Sequence, residues 1–103
     1  MILAKENRRL LTYSRFASLS YLNYYNKDGI MYKELKNALG LSDSQIGPQL
    51  LWLRKKGYVK TETQKLDNKE LVVYYITEKG KNAYKSIIEW IKTLPVYENL
   101  EGG

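Results

Sequence analysis

A chain of 103 residues with 17 basic and 11 acidic side chains carries a formal charge of +6 and is long enough for one hydrophobic core. The cationic excess fits an anionic partner. No cysteine is present, so there is no disulfide frame or catalytic thiol, and no histidine, so the commonest general base and metal ligand are missing. Enzymatic activity, a metal and a cofactor are therefore not expected.

Residues 3–25 read as one long helix, with Leu10, Tyr13, Ala17 and Tyr24 on one face and Leu11, Phe16, Leu19 and Leu22 spread around the others. Asn26-Lys27-Asp28-Gly29 ends it with turn chemistry. Residues 30–40 form a second, shorter helical pattern, in which Leu35 and Leu39 stand four apart before Gly40. The stretch from Leu41 to Val59 is the most informative. Ser42 and Gln45 make a capping box, and Ile46, Leu50 and Leu53 share one buried face. Lys55, Lys56 and Gly57 then supply a basic last turn and a left-handed stop. Ser44, Pro48, Trp52 and Lys55 lie opposite the buried stripe, flanked by Gln45 and Gln49, a composition that suits a helix reading DNA bases. Gly47-Pro48 interrupts the pattern. Pro48 cannot donate to the Ser44 carbonyl, so the helix proper is expected to run from Pro48 to Lys56, with Asp43 to Ile46 as a separate turn.

Tyr58 to Gln64 and Leu71 to Thr77 are β runs, and Asp67-Asn68 between them tolerates the positive φ of a tight hairpin. Thr77 caps a last helix that Pro95 ends. That helix carries Ala83, Tyr84, Ile87, Ile88, Trp90, Ile91 and Leu94, more apolar coverage than one small core needs, and the first helix shows the same excess. The remaining face of each is expected to meet a second copy of the chain. Residues 1–95 read as one domain and 96–103, ending Glu-Gly-Gly, as a flexible tail. No run spans a membrane and the N-terminus is too short in its apolar part for a signal peptide, so a cytoplasmic, nucleoid-associated chain is expected.

This order of parts resembles the winged helix-turn-helix domain of MarR-like and PadR-like transcription regulators. The carrying residues are Glu34-Leu35, Leu41-Ser42, Leu50 with Leu53, Gly57-Tyr58-Val59 and Tyr75-Ile76-Thr77-Glu78-Lys79-Gly80, spread over roughly residues 8–94. The small size and the wealth of lysine and tyrosine are similar to archaeal members of the group. The resemblance implies an α+β, mainly α fold in the order α-(short β)-α-α-β-β-α, with Ile30-Met31 as a short strand against the wing. It also implies a homodimer joined through the terminal helices, to which Leu3, Leu10, Leu11, Ile87, Trp90, Ile91 and Leu94 are assigned.

The function expected is that of a dimeric, sequence-specific binder of double-stranded DNA and a transcription regulator. Ser44, Gln45, Pro48, Gln49, Trp52 and Lys55 would form the recognition helix surface, with glutamine able to pair bidentately with adenine. Tyr32 and Lys33 would hold the backbone from the preceding helix, and Lys60, Lys65, Asn68 and Lys69 would reach phosphates or the minor groove from the wing. Asp43 would repel phosphates. Two alternatives stay open: an architectural DNA binder with little sequence preference, and a winged helix used for protein contact, which the apolar Leu51 and Trp52 would suit. A small effector between the dimer helices stays undetermined.

Overall fold

Thr12 decides how the chain starts. Its backbone is extended and its hydroxyl accepts the Arg15 N–H at 3.3 Å, which makes it the N-cap of a new helix rather than a link in a longer one. The computed structural model describes residues 1–96, and in it the expected helix over residues 3–25 is two: α1, Lys5–Arg8, and α2, Tyr13–Tyr25. Leu10 lies in the break and is fully buried there. The other elements are β1 (Ile30–Met31), α3 (Tyr32–Leu39), α4 (Asp43–Lys55), β2 (Val59–Leu66), β3 (Lys69–Ile76) and α5 (Glu78–Ile91). This is a mainly helical α+β fold in the expected order, with one additional short helix at its start. Among the described residues no helix is long and apolar enough to cross a membrane. Of the expected tail, residues 97–103 lie outside the described residues.

The sheet is antiparallel in the order β1-β3-β2. Ile30 pairs with Tyr74, so the short strand does sit against the wing hairpin. Asp67 and Asn68, at φ 50° and 65°, make the two-residue turn between β2 and β3, and the register follows from it, Leu66 opposite Lys69 and Val59 opposite Ile76.

Helix α4 does not break at Gly47-Pro48. It runs unbroken from Asp43 to Lys55, so the expected restart at Pro48 is corrected. The carbonyl that Pro48 leaves without a donor belongs to Ser44, which is exposed, so water can serve it and the proline costs little at this end of the helix. The capping box forms as expected, with the Ser42 N–H donating to Gln45 Oε1 at 2.9 Å. At the other end Gly57, φ 84°, closes a Schellman motif: Tyr58 N–H donates to the Leu53 carbonyl at 2.9 Å and Gly57 N–H to that of Arg54 at 3.0 Å. Helix α5 stops at Ile91, short of Pro95, where the Thr93 hydroxyl donates to the Trp90 carbonyl at 2.6 Å.

One core joins α2, α3, α4 and α5 to the sheet through Leu19, Leu22, Leu35, Ile46, Leu50, Leu53 and Ile87 on the helices and Ile30, Val59 and Ile76 on the strands, with Tyr58 beside them. Leu3, Leu10 and Ile87, assigned from the sequence to a dimer interface, belong to this core and are at most 5% exposed. They have no surface left to offer a partner, and that assignment is corrected. The terminal helices need less cover from outside than their composition suggests, because the break before α2 folds Leu3 and Leu10 back onto the chain's own interior.

Candidate nucleic-acid interface

Three segments build the face that a winged helix turns towards a partner: the start of α3, the outer side of α4 and the β2–β3 hairpin. Helix α4 is positioned first by its buried stripe, Ile46, Leu50 and Leu53, each at most 1% exposed. Opposite this stripe, at the spacing of one helical face, stand Ser44, Pro48, Leu51 and Lys55, all exposed. Arg54 and Lys56 flank Lys55, so the helix ends in three consecutive exposed cations. Leu51 and Arg54 were not assigned to the site from the sequence. The i, i+4, i+7, i+11 spacing of Ser44, Pro48, Leu51 and Lys55 was the signal that could have found Leu51.

The two glutamines expected to read bases are occupied elsewhere. Gln45 Oε1 accepts from both the backbone N–H and the hydroxyl of Ser42, at 2.9 and 3.1 Å. Gln49, half-buried, accepts at Oε1 from Arg15 Nε at 2.8 Å. A bidentate contact to adenine needs that oxygen as well as the amide NH2, so neither side chain is set up for it in this conformation. Trp52 is also placed differently from the expectation. It is half-buried, packed on the core, with the Arg15 guanidinium 3.7 Å above its ring centre and the Tyr58 ring stacked at 6.1 Å. Arg15 donates in addition to the Arg9 carbonyl at 2.7 Å. Arg15 therefore clamps α4 to the start of α2, with Gln49 and Trp52 as the α4 side of the clamp. Angular position alone put Trp52 opposite the core because the cation that covers it comes from a distant part of the chain.

Asp43 is not a bare negative charge. Its Oδ1 accepts from the Tyr32 hydroxyl at 2.7 Å and from Lys36 Nζ at 3.1 Å. The bond from Tyr32, followed by that from Lys36, holds the Asp43 carboxyl below the usual carboxylate range, and the same hydrogen bond pushes the Tyr32 phenol up to about 12. Tyr32 thus joins α3 to the first turn of α4 and is committed to that role, while Lys33 beside it stays exposed. The linkage has two signs. The depressed Asp43 stabilises the fold above the ordinary aspartate range, and this is lost as pH falls through it. The raised Tyr32 contributes stability that is fully present below about pH 10 and is lost as pH rises towards about 12. Tyr32→Phe is expected to remove its share of the alkaline loss, measured as the urea midpoint between pH 9 and about 12 against the parent chain.

The wing carries Lys60, Lys65 and Lys69 against Glu62, Asp67 and Glu70, which makes it electrically neutral. Lys60 lies 3.8 Å from Glu62 and 5.8 Å from the centre of the Tyr75 ring, and Lys65 stands directly opposite Glu70 in the ladder. Asn68 is a turn residue, exposed like Lys65 and Lys69. All four wing residues assigned from the sequence are on the surface, but as members of a balanced set rather than a cationic patch.

The base of the wing is fastened to α4 and α5 at one corner. The Thr77 hydroxyl donates to the Gly57 carbonyl at 2.6 Å and accepts from Gly80 N–H at 3.1 Å. Lys79 Nζ donates to the Lys56 carbonyl at 2.7 Å and pairs with Glu6 at 3.2 Å. Tyr58, buried beside them, donates to Glu6 at 3.2 Å, and burial first, then the Glu6 charge, raises its phenol to about 12. Of the remaining residues assigned to an interface between copies, Leu11 is 40% exposed and Trp90, Ile91 and Leu94 are partly exposed. Leu11, Tyr13, Phe16, Ala17 and Ile91 line an open apolar groove between α2 and α5.

Comparison with known proteins agrees with this arrangement. The chain is similar in fold to MepR of S. aureus in a complex with DNA, at 15% identity over 94% of this chain and 77% of that one, with a TM-score of 0.75. It is similar to smu.1704 of Streptococcus mutans UA159, at 21% identity over 89% of this chain and 92% of that one, TM-score 0.65. A zinc-responsive MarR family member, ZitR of Lactococcus lactis, aligns at 21% identity over 87% of this chain and 60% of that one, TM-score 0.65. No curated protein matches the sequence. A family model described as a winged helix DNA-binding domain matches residues 14–94, and it is to this family that the chain belongs.

Proposed function

We propose that the chain is a dimeric, site-specific binder of double-stranded DNA that regulates transcription in the cytoplasm, with no enzymatic activity of its own. The observation that carries the proposal is the outer stripe of α4, which ends in Arg54, Lys55 and Lys56 within a chain of the winged helix DNA-binding family. Solved neighbours of the same fold include MepR in a complex with DNA, which supports a DNA partner for this chain. In a helix-turn-helix dimer the second helix of each motif enters the major groove, and the two copies meet half-sites roughly 34 Å apart. The second copy would cover the apolar groove at Leu11 and Ile91, together with Trp90 and Leu94. Residues 1–95 would act as one unit that both binds DNA and dimerises. The zinc response named for ZitR is not carried over, since this chain has neither histidine nor cysteine.

Binding of the full chain to its own upstream region and to random DNA, each at two salt concentrations, tests the proposal. The expected result is tight binding to the upstream duplex that survives random competitor and weakens steeply with salt. Equal, salt-sensitive binding to both would favour the architectural reading. The exposed Leu51 and Pro48 give some support to a protein-contact reading, which absence of DNA binding would favour.

A further inference from the structure

The outward face of α4 holds few free hydrogen-bonding groups. Gln45 and Gln49 have their oxygens engaged by Ser42 and Arg15, Asp43 is tied to Tyr32 and Lys36, and Trp52 lies under Arg15. Between Ser44 and Lys55 the residues that project furthest from the core are Pro48 and Leu51, and Leu51 is 43% exposed. Apolar surface is thus concentrated at the middle of the helix that the fold presents to the groove, where a polar reader would be expected. The major groove offers one apolar handle, the C5-methyl of thymine. Every base pair also shows donors and acceptors there that a leucyl or prolyl side chain leaves unpaired, adenine N6 and N7 included, so the methyl is what separates an A·T from a G·C pair for an apolar reader.

The geometry points to thymine-methyl readout: Pro48 and Leu51 contact the methyl groups of thymines in the major groove and make the site preferred by this chain rich in A·T pairs. The inference rests on the DNA-binding reading given above. The two side chains are three residues apart, a rise of about 4.5 Å along the helix, against about 3.4 Å per nucleotide along one strand, so they suit methyls on neighbouring base steps. Lys55, one turn beyond Leu51, would then meet a phosphate at the groove edge. Direction of readout thus runs from an apolar centre to a cationic end.

Selection of the full chain against random-sequence duplexes would supply the preferred site as a probe, and a second probe would replace its thymines with deoxyuridine, which removes only the methyl. The expected result is a drop of about fourfold in affinity for each methyl that the protein touches. Leu51→Ala should lose the Leu51 share of this discrimination, about fourfold per methyl, and keep the share due to Pro48, and its melting temperature checks that it is folded, as expected for an exposed side chain. Equal binding of the parent chain to both probes would overturn methyl readout and leave DNA binding standing. Full methyl discrimination by Leu51→Ala would overturn the role of Leu51. Failure to bind any duplex would overturn both readings.

Discussion

Gly80→Ala is expected to destabilise the fold by about 3 kcal/mol, the upper range for forcing an atom into a filled site. A Cβ at position 80 would overlap the Tyr58 carbonyl and come within 2.7 Å of Ile76 Cγ1. The first of these neighbours is backbone, so no rotamer change relieves it, and α5 must move away from the wing. That movement strains the Gly80 N–H bond to Thr77 and the Thr77 bond to Gly57, which are the fastening of α5 to the end of α4. Gly47→Ala is the matched control. Within α4 the same added carbon meets, beyond its chain neighbours, only the Tyr32 hydroxyl, at 3.9 Å, so no packed backbone has to move; crowding against the Pro48 ring offsets the usual helical gain, and the change should stay within about 1 kcal/mol of the parent chain. Urea melts should therefore show a much larger loss for Gly80→Ala than any shift for Gly47→Ala. Equal and small shifts would show that the corner between β2 and α5 is looser than the packing implies.

Lys55→Glu is expected to lower DNA affinity at least about tenfold at moderate salt, since attraction to a phosphate is replaced by a repulsion, twice over in the dimer proposed above. Lys55 takes part in none of the ion pairs among the described residues, so its charge is available to a partner, and its reversal breaks no internal ion pair. Thermal stability should stay within about 0.5 kcal/mol of the parent chain, as for an exposed position. The salt dependence should also become shallower, by about 0.9 in the slope of log K against log salt for each phosphate that the protein no longer neutralises. Lys69→Ala, in the neutral wing, should change affinity less. A larger effect from Lys69 than from Lys55 would move the main cationic anchor from the helix to the wing.

What can be read from the sequence is mostly what neighbouring residues decide among themselves. The Ser42–Gln45 box, the Thr77 cap, the glycine stop at 57 and the Asp67-Asn68 turn are local chemistry, and each forms where it is expected. The place of β1 beside β3 follows from the resemblance rather than from the two residues themselves. The start of the chain misleads because Leu10, Tyr13, Ala17 and Tyr24 keep a helical rhythm across a break that Thr12 signals by its side chain alone. Pro48 matters less than its chemistry suggests, since a proline this near a solvated helix start removes only a bond that water replaces. In the candidate site the outward stripe of α4 is legible from periodicity, Leu51 included, since it completes the series of Ser44, Pro48 and Lys55. The capture of Gln49 and Trp52 by Arg15 is not, because Arg15 lies 34 residues before Gln49 and no local pattern announces the meeting. Charge counting likewise locates lysines on the wing without showing that carboxylates on the same hairpin cancel them.

Pro48 has one effect that outlasts folding. The rungs from Ile46 to Ser42 and onward hold the first turn of α4, but the rung that would join Ser44 to position 48 does not exist. The first turn is therefore joined to the rest of the helix by one bond fewer than any other turn, and bending or fraying there breaks no hydrogen bond at that point. Against it, the Tyr32–Asp43–Lys36 clasp acts as an outside tether on the same turn. The first turn, seated in the core by Ile46, can thus adjust against a partner without losing a hydrogen bond at that point, while Leu50 and Leu53 keep the rear in its seat. Local give at the reading end and rigidity at the anchored end come from a single missing amide proton.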